Sequence, residues 1–331
     1  MTVPKPFVFA LRTCAFAALL SGCGANAVPP PTGTSRAQIA TQRSSDFHPA
    51  VDKGIYATEW YGVNVTGYSI NNRRNKPPIC SVRHVRPADV AVDGKGNLLV
   101  PNVLGAGYGT VQILKGPGMC GPVVGSVSDP YGSPTDVAAG ADATTGTFII
   151  GNWTGPEGDG AGSVSVCTFK GGCTANIVGI VQYVGAVALG KNGDCWDSGQ
   201  DVLYHADLVY HRGCAKSSRR AKGFLNRSDG GLDIDNLGHL VSISSSDAKL
   251  YVYSGCSPDC VLAGGPFNLR GHPFFGHLNA SSTRLAVGSS GPNEVDVYSY
   301  SPSSVRFLYR FSTGLPSGSV SGATYNPRSN R

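Results

Sequence analysis

The sequence has 331 residues, a net charge of +6, only 15% charged residues and 45 glycines. Its positive excess is small and its basic clusters are short, so nothing indicates a nucleic-acid partner. High glycine, low charge and many short β-branched runs predict an all-β chain with tight turns.

The first 22 residues are predicted to be a signal peptide. Lys5 and Arg12 are followed by an apolar run at 13–20 that is too short to span a bilayer. The next residues, Leu-Ser-Gly-Cys ending at Cys23, resemble the bacterial lipobox. That resemblance implies cleavage before Cys23 and a lipid on its sulfur. An ordinary signal peptide with a chance cysteine is the alternative.

Residues 23–50 are expected to be a disordered tether, because they are rich in Pro, Thr, Ser, Gln and Ala and poor in apolar side chains. With the lipid on Cys23 as membrane partner, the folded region at 51–331 would lie outside the cytoplasm at a bacterial cell envelope. Gly24 after the lipidated cysteine favours the outer membrane if the host is Gram-negative.

Eight cysteines remain after the signal peptide and Cys23 are set aside, and an even number in an exported chain predicts disulfides. Zinc is the competing hypothesis, but the spacings do not form a CxxC framework. Two pairs are close enough in sequence to staple hairpin turns, and two more are weaker pairings. The four expected pairs are Cys167 with Cys173, Cys256 with Cys260, Cys195 with Cys214, and Cys80 with Cys120.

A hairpin pattern recurs along the chain at intervals of about forty to fifty residues. In 87–102, an apolar run at 88–92 precedes a glycine-containing turn at 93–97 and a second apolar run at 98–100. Similar first runs start at Pro134, Gly185, Gly231 and Phe274. Third strands are predicted at 63–66, 110–113, 163–166, 206–209, 250–253 and 295–298, and fourth strands at, for example, 123–127, 177–181 and 307–311.

The two ends of the repeat array are complementary. The first unit begins on a second-type strand at 54–58, and the C-terminus carries a spare first-type strand at 321–326. The tail is therefore expected to complete the first unit and to remove the exposed edge of an open array. We predict a six-bladed β-propeller of four-stranded blades, rather than an open sandwich with coincidental similarity.

The motif DVAVDGKGNLLVPN at 89–102 resembles the core of NHL-repeat propellers and of the related gluconolactonase-like superfamily. The resemblance covers most of the chain after residue 50 and is clear in unit two only. It implies a propeller whose relatives divide into protein or ligand binders and calcium-dependent lactonases. The motif specifies the structure of a blade well and function poorly.

Alignment of the units places polar side chains where second strands end, with Gly199, Ser244 and Ser289 at the ends in units four to six. Aromatic side chains follow two of the ends, and aspartates lie near the starts of first strands on the same face. The predicted ligand rim consists of Glu59, Trp60, Tyr61, Asp89, Asn102, Asp136, Asn152 and Trp153.

Glu59 and Asn152 resemble part of the calcium-binding set of gluconolactonase-like enzymes, with Asp233 or Asp207 as conceivable additions. The glycine and serine ends of units four to six leave half the ring without ligands. Calcium is the one cofactor that this resemblance suggests. Asp93, Asn97 and Asp235 lie in turns on the opposite face, where turn chemistry explains them.

His272 and His277 flank Pro273–Gly276, where a structural role is expected ahead of ligand contact, and His205 and His211 show no acidic partner in the sequence. The sequence contains no nucleophile elbow, phosphate loop or dinucleotide fingerprint. The predicted function is binding of an envelope protein or a small polar ligand. A metal-dependent lactonase and a structural part of an envelope assembly remain alternatives.

Overall fold

The computed structural model describes residues 54–326, with gaps at 61, 71, 74, 85, 87, 106–107, 117, 157–161, 179–180, 202–204, 216–217, 227–229, 292 and 315–319. The predicted signal peptide, the lipidation site Cys23, the tether and Tyr61 lie outside the described residues.

The described chain is almost entirely β-strand, and its helical content is one short 3-10 turn at Arg212–Cys214. The strands of the first three blades are β1 (Gly54–Glu59), β2 (Asn64–Ser69), β3 (Cys80–Arg83), β4 (Ala91–Val92), β5 (Leu98–Gly105), β6 (Tyr108–Leu114), β7 (Val123–Asp129), β8 (Pro134–Ala139), β9 (Thr147–Asn152), β10 (Ser163–Thr168) and β11 (Gly172–Val178). The later strands are β12 (Tyr183–Leu189), β13 (Cys195–Gln200), β14 (Ala206–His211), β15 (Ser218–Arg220), β16 (Leu232–Ile234), β17 (Leu240–Ser244), β18 (Lys249–Ser254), β19 (Val261–Asn268), β20 (Pro273–Leu278), β21 (Arg284–Ser289), β22 (Glu294–Ser301), β23 (Ser304–Ser312) and β24 (Val320–Tyr325).

These strands form six antiparallel sheets of four strands each, which confirms the predicted six-bladed propeller. Blades 2 to 6 contain β4–β7, β8–β11, β12–β15, β16–β19 and β20–β23, each running from the inner to the outer strand in chain order. Blade 1 has the order β24-β1-β2-β3, so its inner strand comes from the other end of the chain.

The ring is closed by the C-terminal strand, as predicted. In the antiparallel pairing of β24 with β1, Tyr325 lies opposite Ile55 and Ala323 lies opposite Ala57. All six residues of β24 are buried. The strand therefore completes the first sheet and also packs against its neighbours.

The hydrophobic core is divided into six clusters, one between each pair of neighbouring blades within the described chain. Ile55 of blade 1 packs in the same cluster as Phe311 of blade 6, so the first and last blades share a core like the others. The remaining five clusters fill the gaps between blades 1 and 2, 2 and 3, 3 and 4, 4 and 5, and 5 and 6. Because each sheet is covered on both faces, apolar residues occur on both sides of its inner strands.

The turns of the repeat are held by the side chains that the sequence assigned to turn chemistry. Asp93 Oδ1 accepts hydrogen bonds from the backbone N–H groups of Lys95 and Asn97, at 2.9 and 2.8 Å. Asp235 repeats the arrangement with Leu237 and His239. A local sequence pattern therefore shapes each turn. The second carboxylate oxygen joins the turn to a neighbouring blade, because Asp93 Oδ2 accepts from the Ala143 N–H and Asp235 Oδ2 accepts from the Tyr300 hydroxyl.

Most strands differ from their predicted bounds by a few residues, and two of the differences have a visible cause. Strand β4 covers only Ala91–Val92 of the expected run, because the Ala88 carbonyl accepts hydrogen bonds from the hydroxyls of Ser321 and Thr58 instead of joining a ladder. Strand β11 begins at Gly172, five residues before the predicted start, because Cys167 and Cys173 already face each other across the β10–β11 hairpin.

Four disulfides are present, with the expected pairing. Cys167–Cys173 staples the β10–β11 hairpin, and Cys256–Cys260 closes the connection between β18 and β19. The Cys195–Cys214 bond fastens the 3-10 turn to β13. The Cys80–Cys120 bond joins β3 of blade 1 to the β6–β7 connection of blade 2, and therefore links two blades.

Candidate functional site

One face of the propeller carries the candidate site, and we call it the exit face. It is the face on which second strands end and inner strands begin, as the pairing of Pro134 with Asn152 and of Pro273 with Ser289 shows. Second strands end at Glu59, Gly105, Asn152, Gln200, Ser244 and Ser289. Asn102 therefore lies inside β5, three residues before its end, and Gly199 lies one residue before the end of β13.

Acidic side chains from three blades meet a histidine from a fourth blade inside the ring, and we call Asp89, Asp136, Asp233 and His277 the axial cluster. His277 Nε2 lies 2.9 Å from Asp89 Oδ2, and His277 Nδ1 lies 3.7 Å from Asp233 Oδ2. One ligand-type atom from each of Asp89, Asp136 and His277 lies within 4.8 Å of the others. Blades 2 and 6 are separated by blade 1, so these side chains meet across the interior.

Two of the aspartates also tie neighbouring inner strands together. Asp136 Oδ1 accepts a hydrogen bond from the Val137 N–H of its own strand, and Oδ2 accepts one from the Val187 N–H of blade 4, at 2.6 and 2.7 Å. Asp233 bonds in the same way to Ile234 and to Leu278 of blade 6, at 2.7 Å each. These backbone bonds hold both carboxylates in place at the inner ends of two blades.

The electrostatics of the axial cluster follow from burial and crowding. Burial, followed by the neighbouring charge of Asp89, raises the pKa of Asp136 well above its usual range. Burial acts to lower the pKa of His277, but Asp89 and Asp233 outweigh it and raise that pKa well above the usual value. Burial and the neighbouring carboxyl groups therefore favour the protonated form of both Asp136 and His277.

Blade 1 leaves room for this arrangement by placing a glycine beside Asp89. A Cβ on Gly322 of β24 would lie 2.2 Å from Asp89 Oδ1 and 2.8 Å from Thr58 Oγ1. Asp89 is fully buried, and no donor in the described part of the chain reaches its Oδ1.

Glu59 and Trp60 follow each other at the end of β1. Glu59 is buried, and burial raises the pKa of its carboxyl. Trp60 is half-buried, and its ring meets that of Phe274, at the start of β20, edge to face with centroids 6.0 Å apart. Trp60 therefore packs on blade 6, the neighbour that precedes blade 1 in the ring.

Asn102 is buried in blade 2 and donates a hydrogen bond from Nδ2 to the Val100 carbonyl, at 3.2 Å. The neighbouring His84 is also buried. Burial, partly opposed by a hydrogen bond with Asn102, lowers the pKa of His84 to about 4. This histidine is therefore neutral at pH 7.

Asn152 and Trp153 lie at the gap between blades 3 and 4. Asn152 is fully buried, and its Nδ2 donates to the hydroxyl of Ser165, at 2.9 Å. Trp153 is half-buried and stacks on the ring of Tyr183, with centroids 5.1 Å apart and an interplanar angle of 26°. Of this pair of predicted rim residues, the tryptophan is the one that keeps exposed surface.

The predicted rim residues thus separate into groups. Asp89 and Asp136 come together, while the tryptophans lie against different blades. Sequence reasoning missed His277 as the partner of both, and it missed the buried pairing of His211 with Asp197. The sequence signal that could have placed His277 near these aspartates is its position in the aligned first strand of unit six.

The calcium set implied by the resemblance is incomplete around Glu59. Glu59 Oε1 and Asn152 Oδ1 are buried oxygens without a hydrogen-bond donor in the described chain, which suits a ligand role. However, Glu59 belongs to no group of three His, Cys, Asp or Glu side chains among the described residues. Asp207 pairs with Arg220 at 2.7 Å instead.

No protein-family model matches the sequence, and no curated protein matches it. Solved structures match by fold. A chain of a nidogen/laminin complex has a TM-score of 0.62 at 11% identity, covering 83% of this chain and 98% of that one. A functionally unknown protein from Desulfotomaculum acetoxidans has a TM-score of 0.51 at 13% identity, covering 80% of both chains.

A putative 6-phosphogluconolactonase from Bacteroides uniformis has a TM-score of 0.53 at 10% identity, covering 80% of this chain and 84% of that one. At these identities the similarities concern the propeller fold alone. No helix in the described residues is long and apolar enough to cross a membrane.

Proposed function

We propose that the protein is a lipid-anchored, extracytoplasmic propeller that binds a protein or a small polar ligand at the cell envelope. The observation that carries the proposal is the stacked, half-buried pair of Trp153 and Tyr183 on the exit face. A second aromatic pair, Trp60 with Phe274, lies on the same face.

Half-buried aromatic side chains are well suited to recognition. They offer a large apolar surface at a small cost in conformational entropy, and tryptophan and tyrosine dominate the energetics of many binding sites. The backbone of Trp153 is also held in place, because its N–H donates a hydrogen bond to the Ser133 carbonyl at 2.9 Å. A ligand would therefore meet a preformed surface.

The fold supports this function without identifying the partner. One chain with the same fold belongs to a nidogen/laminin complex, so a propeller of this shape is found in a protein–protein assembly. Five of the six carboxylate oxygens of the axial cluster, by contrast, are engaged by backbone N–H groups or by His277, and Asp89 Oδ1 is the exception. Binding therefore accounts for the exit face more directly than catalysis does.

The anchor in this proposal is the lipid on Cys23, with residues 23–50 as the tether. A flexible segment of that length has a root-mean-square span of about 30 Å. The four disulfides support an oxidising compartment outside the cytoplasm.

Trp153→Ala is the test of binding. Full-length protein is used to capture partners from the host's solubilised envelope, and Kd is then measured for each candidate, including envelope saccharides. We expect at least about 30-fold weaker binding, because truncating a tryptophan anchor costs about 2 kcal/mol or more. Phe307→Ala is the matched control, since Phe307 is also half-buried and pairs with an aromatic ring, Tyr298, but lies on an outer strand. Equal affinity of the two variants would rule out the Trp153 surface.

Cys23→Ser is the test of the anchor. The wild-type chain is expected in the membrane fraction with a diacylglycerol label, and the variant in the soluble extracytoplasmic fraction without it. A Cys14→Ser variant controls for loss of any cysteine near the N-terminus. Membrane retention of Cys23→Ser would contradict the lipid anchor.

The alternative is a calcium-dependent lactonase, favoured by the fold shared with the Bacteroides protein and by the orphaned oxygens of Glu59 and Asn152. Lactone hydrolysis that requires calcium and disappears in Glu59→Gln would place this alternative first.

A further inference from the structure

The axial cluster has the geometry of a metal site, independently of any partner on the exit face. Asp89, Asp136 and His277 each present one ligand atom, and the three atoms lie within 4.8 Å of one another. Metal–ligand bonds of about 2.0–2.2 Å place two ligand atoms at most about 4.4 Å apart. In a tetrahedral site with bonds of that length two ligand atoms lie about 3.3–3.6 Å apart, so the side chains need to move by about 1 Å to share an ion.

A second observation points to a ligand at this place. Asp89 is 0% exposed, and its Oδ1 receives no hydrogen bond from the described residues. The glycine at Gly322 keeps the space beside this oxygen free of a side chain. A buried carboxylate oxygen without a donor is costly, and a cation beside it removes that cost.

The surroundings of the three ligands are those of a metal centre. His277 directs Nε2 towards Asp89, and its Nδ1 lies 3.7 Å from Asp233 Oδ2, an ion-pair distance. A small rotation of the ring would bring Nδ1 within hydrogen-bond distance and give the carboxylate–histidine–metal arrangement. Asp136 is held by the Val137 and Val187 N–H groups. The Asp233 side chain is 26% exposed, so the cluster reaches solvent on the Asp233 side.

We propose that Asp89, Asp136 and His277 bind a divalent transition-metal ion of the zinc class at the centre of the ring, with Asp233 as the positioning residue. An imidazole nitrogen with two carboxylates suits zinc, whereas calcium takes six to eight oxygen ligands. Three protein ligands leave a fourth position for water or for a ligand donor atom.

The test measures metal binding directly, on full-length protein purified without a histidine tag. Zn²⁺ is expected to bind at one equivalent by calorimetry and to raise Tm by about 5 °C at a hundredfold excess over its Kd. His277→Gln is expected to abolish both effects. Asp233→Asn is expected to weaken Zn²⁺ binding by about 10- to 100-fold, because it loosens the ring orientation without removing a ligand.

His239→Gln is the matched control, because His239 also pairs with an aspartate, Asp235, at 2.9 Å but lies in an opposite-face turn. It is expected to bind Zn²⁺ like the wild type. If His277→Gln does not fold, as judged by circular dichroism, Asp89→Asn replaces it. The proposal is overturned if Zn²⁺ does not bind the wild-type protein, if it binds His277→Gln equally well, or if only Ca²⁺ raises Tm.

Discussion

A chain that ends at residue 319 is expected to lose the closed ring and to give insoluble or non-cooperatively unfolding protein. The truncation removes β24, the inner strand of blade 1, all of which is buried. It leaves the backbone groups of β1 unpaired and opens the cluster that joins Ile55 to Phe311. An unpaired inner edge also offers a template for aggregation. Solubility and guanidinium unfolding measure the effect.

Two further chains make this test specific to the strand. A chain that ends at Asn326 retains β24 and is expected to unfold like the full-length protein. A permuted chain that places 320–326 and a short glycine linker before Gly54 is expected to fold, because the Asn326 N–H already bonds to the Gly54 carbonyl at 3.0 Å. Cooperative wild-type unfolding of the 319-residue chain would disprove closure by β24.

The architecture could be predicted because the blades repeat a strand–turn–strand pattern that is visible in the sequence. The turn at Asp93 follows from a pattern of neighbouring residues that is visible in the sequence, and the same turn recurs at Asp235. The missing first strand at one end and the spare strand at the other indicated closure by sequence alone. Repeats with local rules can be aligned without knowledge of the three-dimensional structure.

The meeting of Asp89 with His277 could not be predicted in the same way. These residues are 188 positions apart and belong to blades that are not neighbours. Register shifts between Pro134 and Asp136 and between Pro273 and Gly276 also turn the inner strands locally, so that alternation does not say which side chains point inwards.

Gly199, near the end of β13, offers no ligand atom from a side chain, and the structure gives it a packing role. A Cβ on Gly199 would lie 1.7 Å from the Tyr183 carbonyl oxygen of the neighbouring inner strand. That strand is irregular between Val184 and Ala186. The glycine is therefore required by the close approach of two backbones, which a one-dimensional pattern does not reveal.

His211→Ala is expected to lower the free energy of unfolding by about 3–5 kcal/mol, because it leaves a buried carboxylate without its partner. His211 Nε2 bonds to Asp197 Oδ2 across β13 and β14, and both side chains are 0% exposed. Burial raises the pKa of Asp197, and the hydrogen bond from His211 opposes that rise. Without the imidazole, Asp197 keeps its desolvation cost and loses the compensating contact.

The pH dependence of this loss has a definite sign. A carboxyl whose pKa is raised on folding contributes stability below its unfolded pKa of about 3.9, and that contribution is lost as the pH rises through the folded pKa. In His211→Ala the pKa of Asp197 is expected to rise further. The deficit relative to the wild type should therefore be largest near neutral pH and shrink towards pH 4 in guanidinium unfolding with the disulfides intact.

The double variant Asp197→Leu with His211→Phe separates a coupled pair from two independent packing losses. Replacing both members of a buried ion pair with apolar side chains of similar volume is often close to neutral. The double variant is therefore expected to be more stable than His211→Ala, and the cycle completed by Asp197→Leu and His211→Phe to show a coupling free energy of about 1–3 kcal/mol. Additive losses in that cycle would mean that the two side chains stabilise blade 4 separately. His211 would then have no energetically coupled acidic partner, in agreement with the sequence analysis.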